Sequence, residues 1–377
     1  MQEYTVRAGD SLSKIAEKLL GSAGRWRLLA EANELADPNQ IRVGQILRIP
    51  SLEPAVAPAV LNPSHPPPDG DLSDVVFSVE GNKVFALLVG SEERIYVGTR
   101  FRLGLFRNGR IRPEEALERS SAELDRLRLS DSERHVLDAT AENEGALDAI
   151  NTWDNSFLSF GMFQWTAGPA GAPGELASLL GRIQSNYPEE FQHYFGRFGL
   201  ALEGLSGGAG WISLNNRRLV SEEDKQPLRD FKWALRFIRA GEDAKIQTAQ
   251  LLHAIGRLDQ FYFEPQERLG GLAFSELITS EYGVALLLDN HVNRPAFVVG
   301  TLERALEQLG RTPQQLASSG DERPYLKKYL EVRADFGGTR AMTDSDRRAQ
   351  VTRSHVTSGL ISESRGTFVS HRQQRNA

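Results

Sequence analysis

Apolar positions Leu12, Ile15, Ala16 and Leu19 recur at helical spacing just after Gly9-Asp10-Ser11, where Asp10 or Ser11 is placed to cap the helix. A short strand-like run, Tyr4-Thr5-Val6, precedes them. Trp26, Leu29, Ala30 and Asn33 fit a second helix, and Gly44-Gln45-Ile46-Leu47-Arg48-Ile49-Pro50 returns as a strand. Residues 1–50 are therefore predicted as a compact βααβ unit. The periodicity then stops. Residues 51–72, SLEPAVAPAVLNPSHPPPDGDL, read as an extended, polyproline-like linker. In 73–112 the runs VVFSV, KVFALLV and ERIYVGTRFRLGLF, separated by Gly81-Asn82 and Gly90-Ser91, predict two or three antiparallel strands. From residue 113 the pattern turns helical, as in PEEALERSSAELDRL, LRDFKWALRFIRAG, KIQTAQLLHAIGRL and FVVGTLERALEQLG. A mainly α-helical domain is expected over 113–340, followed by a polar, loosely attached tail over 341–377. The fold class is α+β and multidomain.

Composition narrows the chemistry. At 377 residues the chain exceeds one typical core. The net charge of −6 argues against a general nucleic-acid binder. There is no cysteine, which excludes disulfides, thiol catalysis and Cys-based zinc sites. The seven histidines show no metal-ligand spacing, and neither a metal nor an organic cofactor is expected. No apolar run reaches the roughly 18–20 residues of a membrane span. The N-terminus shows neither a basic nor an apolar leader region. The expectation is a protein made in the cytoplasm that reaches its target after lysis or injection.

The segments YTVRAGDSLSKIAEKLLG, WRLLAEAN and DPNQIRVGQILRIP together resemble a LysM domain over its whole length. That resemblance implies two paired strands with two helices on one side. It also implies a groove for polymers containing N-acetylglucosamine, between Gly9, Asp10, Ser11 and Leu12 on one loop and Pro38, Asn39, Gln40 and Ile41 on the other. The alternative is that these residues only shape turns.

The densest chemistry lies in SDSERHVLDATAENEGALDAINTWDNSFLSFGMFQWT, residues 130–166. Ser130 and Glu133 form a capping box, so a helix should start there. Val136, Leu137, Ala139 and Ala141 give it an apolar face, and Gly145 suits its C-cap. Glu144 would then end a core-facing helix, where burial and the helix dipole both raise a carboxyl pKa, as a general acid requires. Glu142 would point off another face and is the second candidate.

Glu144-Gly145 followed by Gly161-Met162-Phe163-Gln164 resembles the lysozyme-like superfamily, in particular goose-type lysozymes and soluble lytic transglycosylases. The likeness is strong in motif over about forty residues. Gly145 stands where the family has Ser, and Phe163 where it has Met. The resemblance implies Glu144 as general acid, with Ser159 and Gln164 facing the substrate. Asn151, Trp153 and Trp165 are further candidates for substrate contact, although either Trp equally suits a core. Asp154 is the candidate water-positioning base. Asp148 is the other nearby carboxylate and also suits a turn cap. Further on, Asp289, His291, Asn293 and Arg294 interrupt an apolar helix. They form either an Asp289–Arg294 bridge beneath the site or a cleft lining through His291 and Asn293.

The expected function is a peptidoglycan-degrading muramidase that cuts the MurNAc–GlcNAc β-1,4 bond. The alternatives are a lytic transglycosylase, a chitosanase, or a LysM-bearing structural component or cargo of a phage-tail-like contractile injection particle. The expected partner is peptidoglycan or another GlcNAc polymer, with the particle as a further candidate.

Overall fold

A computed structural model describes residues 2–7, 9–20, 29–30, 32–33, 35, 41–50, 74–89, 92–126, 129–338, 342 and 344–371. The chain divides into two compact units. One comprises Met1–Arg112 and Gly145–Gln250, the other Pro113–Glu144 and Leu251–Ala377. The expected 113–340 domain is thus shared between two units, each with its own interior.

In the first unit, strand β1 (Gln2–Thr5) pairs antiparallel with β2 (Ile46–Ile49), with Tyr4 opposite Leu47. The helix Leu12–Leu20 buries Leu12, Ile15, Ala16 and Leu20, close to the predicted face. Leu29 and Ala30 are also buried, while Trp26 lies outside the described residues. Asn33 ties the second helical segment to the strand. Its amide donates to the Leu29 and Arg48 carbonyls at 2.8 Å each and accepts from the Arg48 N–H at 2.6 Å. This one side chain supplies hydrogen bonds that an edge strand otherwise leaves to water.

The β-rich stretch is not a separate domain. Its strands β3 (Val75–Glu80), β4 (Lys83–Leu88), β5 (Arg94–Arg100) and β6 (Leu105–Arg107) run straight on into β7 (Ile150–Asn151), β8 (Ser159–Phe160) and β9 (Trp165–Thr166). All seven form one antiparallel sheet in sequence order. β6 and β7 meet with Phe106 opposite Asn151 and Arg107 opposite Ile150. Alternation fixes the faces of β4 and β5, where Val84, Ala86, Leu88, Ile95 and Val97 are buried. Gly81-Asn82 makes the predicted hairpin turn between β3 and β4. Gly90 and Ser91 lie outside the described residues.

A third sheet interrupts the stretch expected to be mainly α-helical. Strands β10 (Leu200–Ser206), β11 (Ala209–Leu214) and β12 (Arg217–Arg218) form an antiparallel meander. Its turns fall on Gly207-Gly208 and Asn215-Asn216, all four at positive φ. These turn dipeptides were the available signal, since Gly and Asn tolerate the left-handed region that tight hairpins demand.

In the second unit, the helix Asp131–Ala141 begins with the predicted Ser130/Glu133 capping box and buries Val136, Leu137, Ala139 and Ala141. It packs against the helix Glu281–Asn293, whose Val284 to Leu288 are wholly buried. The supposed tail is integral to this unit. It forms the helix Ser345–Thr357, which packs on both of the others and buries Arg348 and Thr352. Farther on, Ser130 Oγ donates to the Val369 carbonyl at 2.6 Å, and Phe368 is buried. The segment carries few apolar residues because its interior contacts are polar, which is why it read as a tail.

Ending the chain at residue 342 would strip Arg348 from its buried partner. Losing one member of a buried ion pair costs about 3–5 kcal/mol. The truncated chain should therefore lose at least that much stability in chemical denaturation; a midpoint equal to the full chain would show the segment to be dispensable.

Candidate functional site

Three groups of sequence-derived candidates can be placed. The first is the N-terminal loop. Gly9 adopts φ +84°, as a tight turn needs, and its carbonyl accepts from Lys14 Nζ at 3.0 Å. Asp10 shapes the turn: it accepts the Arg7 N–H at 2.7 Å and the Tyr4 hydroxyl at 3.0 Å. The Arg7 amide bond, with help from Tyr4 and nearby cations, lowers the Asp10 pKa. Ser11 is the cap, accepting from the Lys14 N–H at 3.3 Å. Leu12 is core and Ile41 packs half-buried on the same cluster. Pro38, Asn39 and Gln40 lie outside the described residues.

The second group follows the helix Asp131–Ala141. The helix ends one turn earlier than its composition suggested, with Glu142 rather than Gly145 at the C-cap. Glu142 is exposed and pairs with His355 Nε2 at 2.8 Å. Glu144 sits in the following turn, its N–H donating to the Ala141 carbonyl at 2.8 Å, and its carboxylate is largely buried. Arg348 contacts Glu144 Oε1 and, at the same time, Asp289 Oδ1. Asp289 has no exposed surface and also receives Arg333 Nη1 at 2.9 Å. Arg348 therefore divides its charge between two carboxylates, and Asp289 shares a second arginine. Glu144 is left as the less compensated acid. Burial pushes its pKa up to about 7. Arg348 pulls it back and Asp289 pushes it further.

The Asp289–Arg294 bridge does not form. Arg294 donates instead to the carbonyls of Phe336 at 2.6 Å and Arg333 at 3.1 Å. His291 is buried and stacked on Phe261, with ring centroids 4.3 Å apart. Asn293 is exposed and donates to the Asp289 carbonyl at 2.9 Å. His291 is thus part of the packing rather than of an open surface.

The third group occupies 145–166 in the first unit. Asp148 is 1% exposed. It receives Arg107 Nη2 at 3.0 Å and the N–H groups of Arg110 and Ile111 at 2.7 and 2.9 Å. Held by three donors away from solvent, it has the partners of a structural acid. Asn151 is buried and donates to Asp154 Oδ2 at 2.8 Å, while Asp154 Oδ1 accepts the Ser156 N–H at 2.8 Å. Ser159 is buried in β8, and Trp165 is core, against Phe163. Trp153 is half-buried, its ring 5.7 Å from that of Phe101. Gln164 has φ +49° and folds its amide back on the Gly161 carbonyl at 3.0 Å.

Two residues unremarkable in sequence organise this loop. Gln250 is fully buried. Its amide donates to the Leu147 carbonyl at 2.9 Å, and its carbonyl accepts the Met162 N–H at 3.3 Å. Gly161 sits against it at φ +77°, where an added Cβ would stand 2.1 Å from Gln250 Oε1, so only glycine fits. The Gly145 N–H donates to the Met162 carbonyl at 3.0 Å, which joins the two halves of the motif read from the sequence. Arg229 holds the other end of the loop through the carbonyls of Thr152 and Asp154, the latter at 2.8 Å. Among the described residues no cluster of His, Asp or Glu is arranged to hold a metal ion, and no helix is long and apolar enough to cross a membrane.

Comparison with known proteins places the first part of the chain. Residues 4–50 match the LysM domain family, and this segment is a LysM domain. An uncharacterized protein of Deinococcus radiodurans is 49% identical over 47 residues, covering 12% of this chain and 19% of that protein. A Mycobacterium tuberculosis esterase is 50% identical over 46 residues, 12% of this chain and 10% of the esterase. A potassium binding protein of Escherichia coli is 45% identical over 51 residues, 13% of this chain and 34% of that protein. The chain thus spans only a small part of each relative's length. No solved structure matches it.

Two outcomes follow from the site. Replacing Asp148 by Ala would leave Arg107 with the more distant Glu242, at 3.6 Å, and strip the Arg110 and Ile111 N–H groups of their acceptor, at a cost of about 3 kcal/mol in denaturant unfolding; an unchanged stability would free Asp148 for another role. For Glu144, the folded-state pKa lies above the ordinary 4.5, so the folded chain binds this proton more tightly than the unfolded chain. Its contribution to stability is whole below pH 4.5 and is lost as pH rises through about 7. The thermal midpoint of the wild type, measured relative to Glu144→Gln, should fall across that interval; a constant difference would place the titration elsewhere.

Proposed function

We propose that the protein is a peptidoglycan-directed glycosidase in which the LysM domain binds GlcNAc-containing glycan and Glu144 acts as general acid on the MurNAc–GlcNAc β-1,4 bond. A LysM domain implies binding to peptidoglycan or chitin-like GlcNAc polymers. Such domains occur in relatives as unlike as an esterase and a potassium binding protein, so the match speaks for the anchor and not for the chemistry. The observation that carries the chemical reading is the buried Glu144 carboxyl with its pKa pushed up to about 7. At neutral pH about half of such groups hold a proton, and the other half can take one back. Glu144 would give its proton to the leaving glycosidic oxygen. The carboxylate that results would face Arg348, which stands ready to balance the new charge. Tethering by LysM would raise the concentration of the acid on an insoluble polymer.

What replaces the leaving group depends on a second carboxylate. The hydrolytic reading needs a carboxylate to orient water, the role for which Asp154 is the sequence's candidate; Asp148 is committed to Arg107. The transglycosylase alternative needs no second carboxylate. In that alternative the 6-hydroxyl of the substrate itself attacks C1 and returns a proton to Glu144.

Digestion of purified peptidoglycan by the wild type and Glu144→Gln, with products read by mass spectrometry, tests the reading. Release should fall by roughly 10²-fold or more in the mutant. Reducing-end muropeptides would identify a hydrolase, and 1,6-anhydro ends a lytic transglycosylase. If the wild type releases nothing while the chain still sediments with the wall, the glycosidase reading fails and the LysM anchor stands.

A further inference from the structure

Arg236 lies on the helix Phe231–Glu242 in the first unit and is 9% exposed. Its guanidinium carbon is 3.7 Å from the ring centroid of Phe198 and 4.6 Å from that of Trp233. The guanidinium of Arg197 lies 4.7 Å from the same Phe198 ring. Two like charges therefore approach one aromatic surface. The nearby carboxylate, Asp230, caps its helix by accepting the Lys232 N–H at 2.8 Å and makes no hydrogen bond to Arg236.

No acceptor among the described residues meets the Arg236 guanidinium. Its Nε is enclosed without a partner. Arg229 shares the unpartnered Nε, but the rest of its guanidinium, like the charged end of Lys225, finds acceptors. Arg229 reaches two carbonyls. Lys225 reaches four, those of Ala167, Gly168, Pro169 and Ala172, at 2.8–3.0 Å. Buried polar groups are as a rule hydrogen-bonded, and an uncompensated buried charge is costly. Burial accordingly draws the Arg236 pKa down to about 10. Asp230 opposes the shift and Arg197 adds to it.

We propose that Arg236, framed by Phe198 and Trp233 and reinforced by Arg197, is a binding site for an oxyanion, a carboxylate or phosphate group carried by the protein's ligand. The chemistry selects that class. A guanidinium is a planar fork that matches two oxygens of a carboxylate or phosphate. The Phe198 and Trp233 rings lie against the guanidinium and hold it in place. The Arg236 guanidinium, without an acceptor among the described residues and repelled by Arg197, favours an anion over a neutral sugar hydroxyl. The site is independent of the role proposed for Glu144.

The test uses the full chain with sodium acetate and sodium phosphate as probes, against sodium chloride at equal ionic strength. The readout is the indole N–H resonance of Trp233, assigned by its loss in Trp233→Phe. Saturable shifts are expected in the wild type, with affinity weakened about tenfold or more in Arg236→Gln, as loss of a charged hydrogen-bonding partner implies. Saturation by phosphate alone points to a phosphate-bearing ligand, and by acetate alone to a carboxylate. Each of these supports the site. Arg236→Lys keeps the charge without the fork and should also weaken binding, which covers the case in which the Gln variant does not fold. Shifts no larger than those with chloride, or unchanged in the Arg236 variants, would overturn the proposal.

Discussion

Asp289 is a carboxylate with no exposed surface, set between Arg333 and Arg348. Its charge can be buried only because two arginines arrive from helices far along the chain, and much of the second unit is arranged around that requirement. The helix Glu281–Asn293 brings the acid into the interior. The helices Arg323–Asp335 and Ser345–Thr357 each contribute one arginine. Arg348 then extends the network to Glu144 and to the Asn143 carbonyl at 3.0 Å. Burying a charge without partners costs several kcal/mol, so these helices are coupled through one group.

The first unit contains a comparable arrangement with a different consequence. Asp148 is gripped by Arg107 and by two backbone amides, and the segment that leads into β7 is positioned around it. Gln250 and Arg229 then fix the loop that follows. Backbone carbonyls and amides of a buried loop must find partners, and here long polar side chains supply them. The contrast between the two acids is instructive. Asp148 has a full set of donors, whereas Glu144 shares a single arginine with a stronger competitor. The difference in compensation, not in residue type, separates a structural acid from a candidate proton donor.

The LysM domain and the rest of the chain carry different kinds of claim. The former is identified by family and buries Leu12, Ile15, Leu29 and Leu47 in its core. The latter has only its own geometry to speak for it. That geometry offers a titratable carboxyl in one unit and, in the other, a loop held by the buried amide of Gln250. It removes several sequence candidates, since Asp148, Trp165 and His291 are committed to the interior.

Local signals in the sequence were read correctly where local physics decides. The Ser130/Glu133 capping box, the Gly81-Asn82 hairpin, the alternation in β4 and β5 and the helical LysM face all depend on neighbours a few positions away. A raised Glu144 pKa was expected from a place at the end of the helix; the structure puts Glu144 in the turn beyond it, and burial there raises the pKa. Other features required partners that are near only in space. Arg348 is 204 residues from Glu144, in a stretch too polar to suggest an interior. Asp289 was legible as buried and paired, but its partners were not. β3–β6 joined β7–β9 across an insertion, and the Gly161 position acquires its meaning only from Gln250. The sequence by itself determined the LysM domain and the local caps and turns. Only the tertiary structure decided which charges are compensated, because compensation depends on distance in space and periodicity along the chain does not measure it.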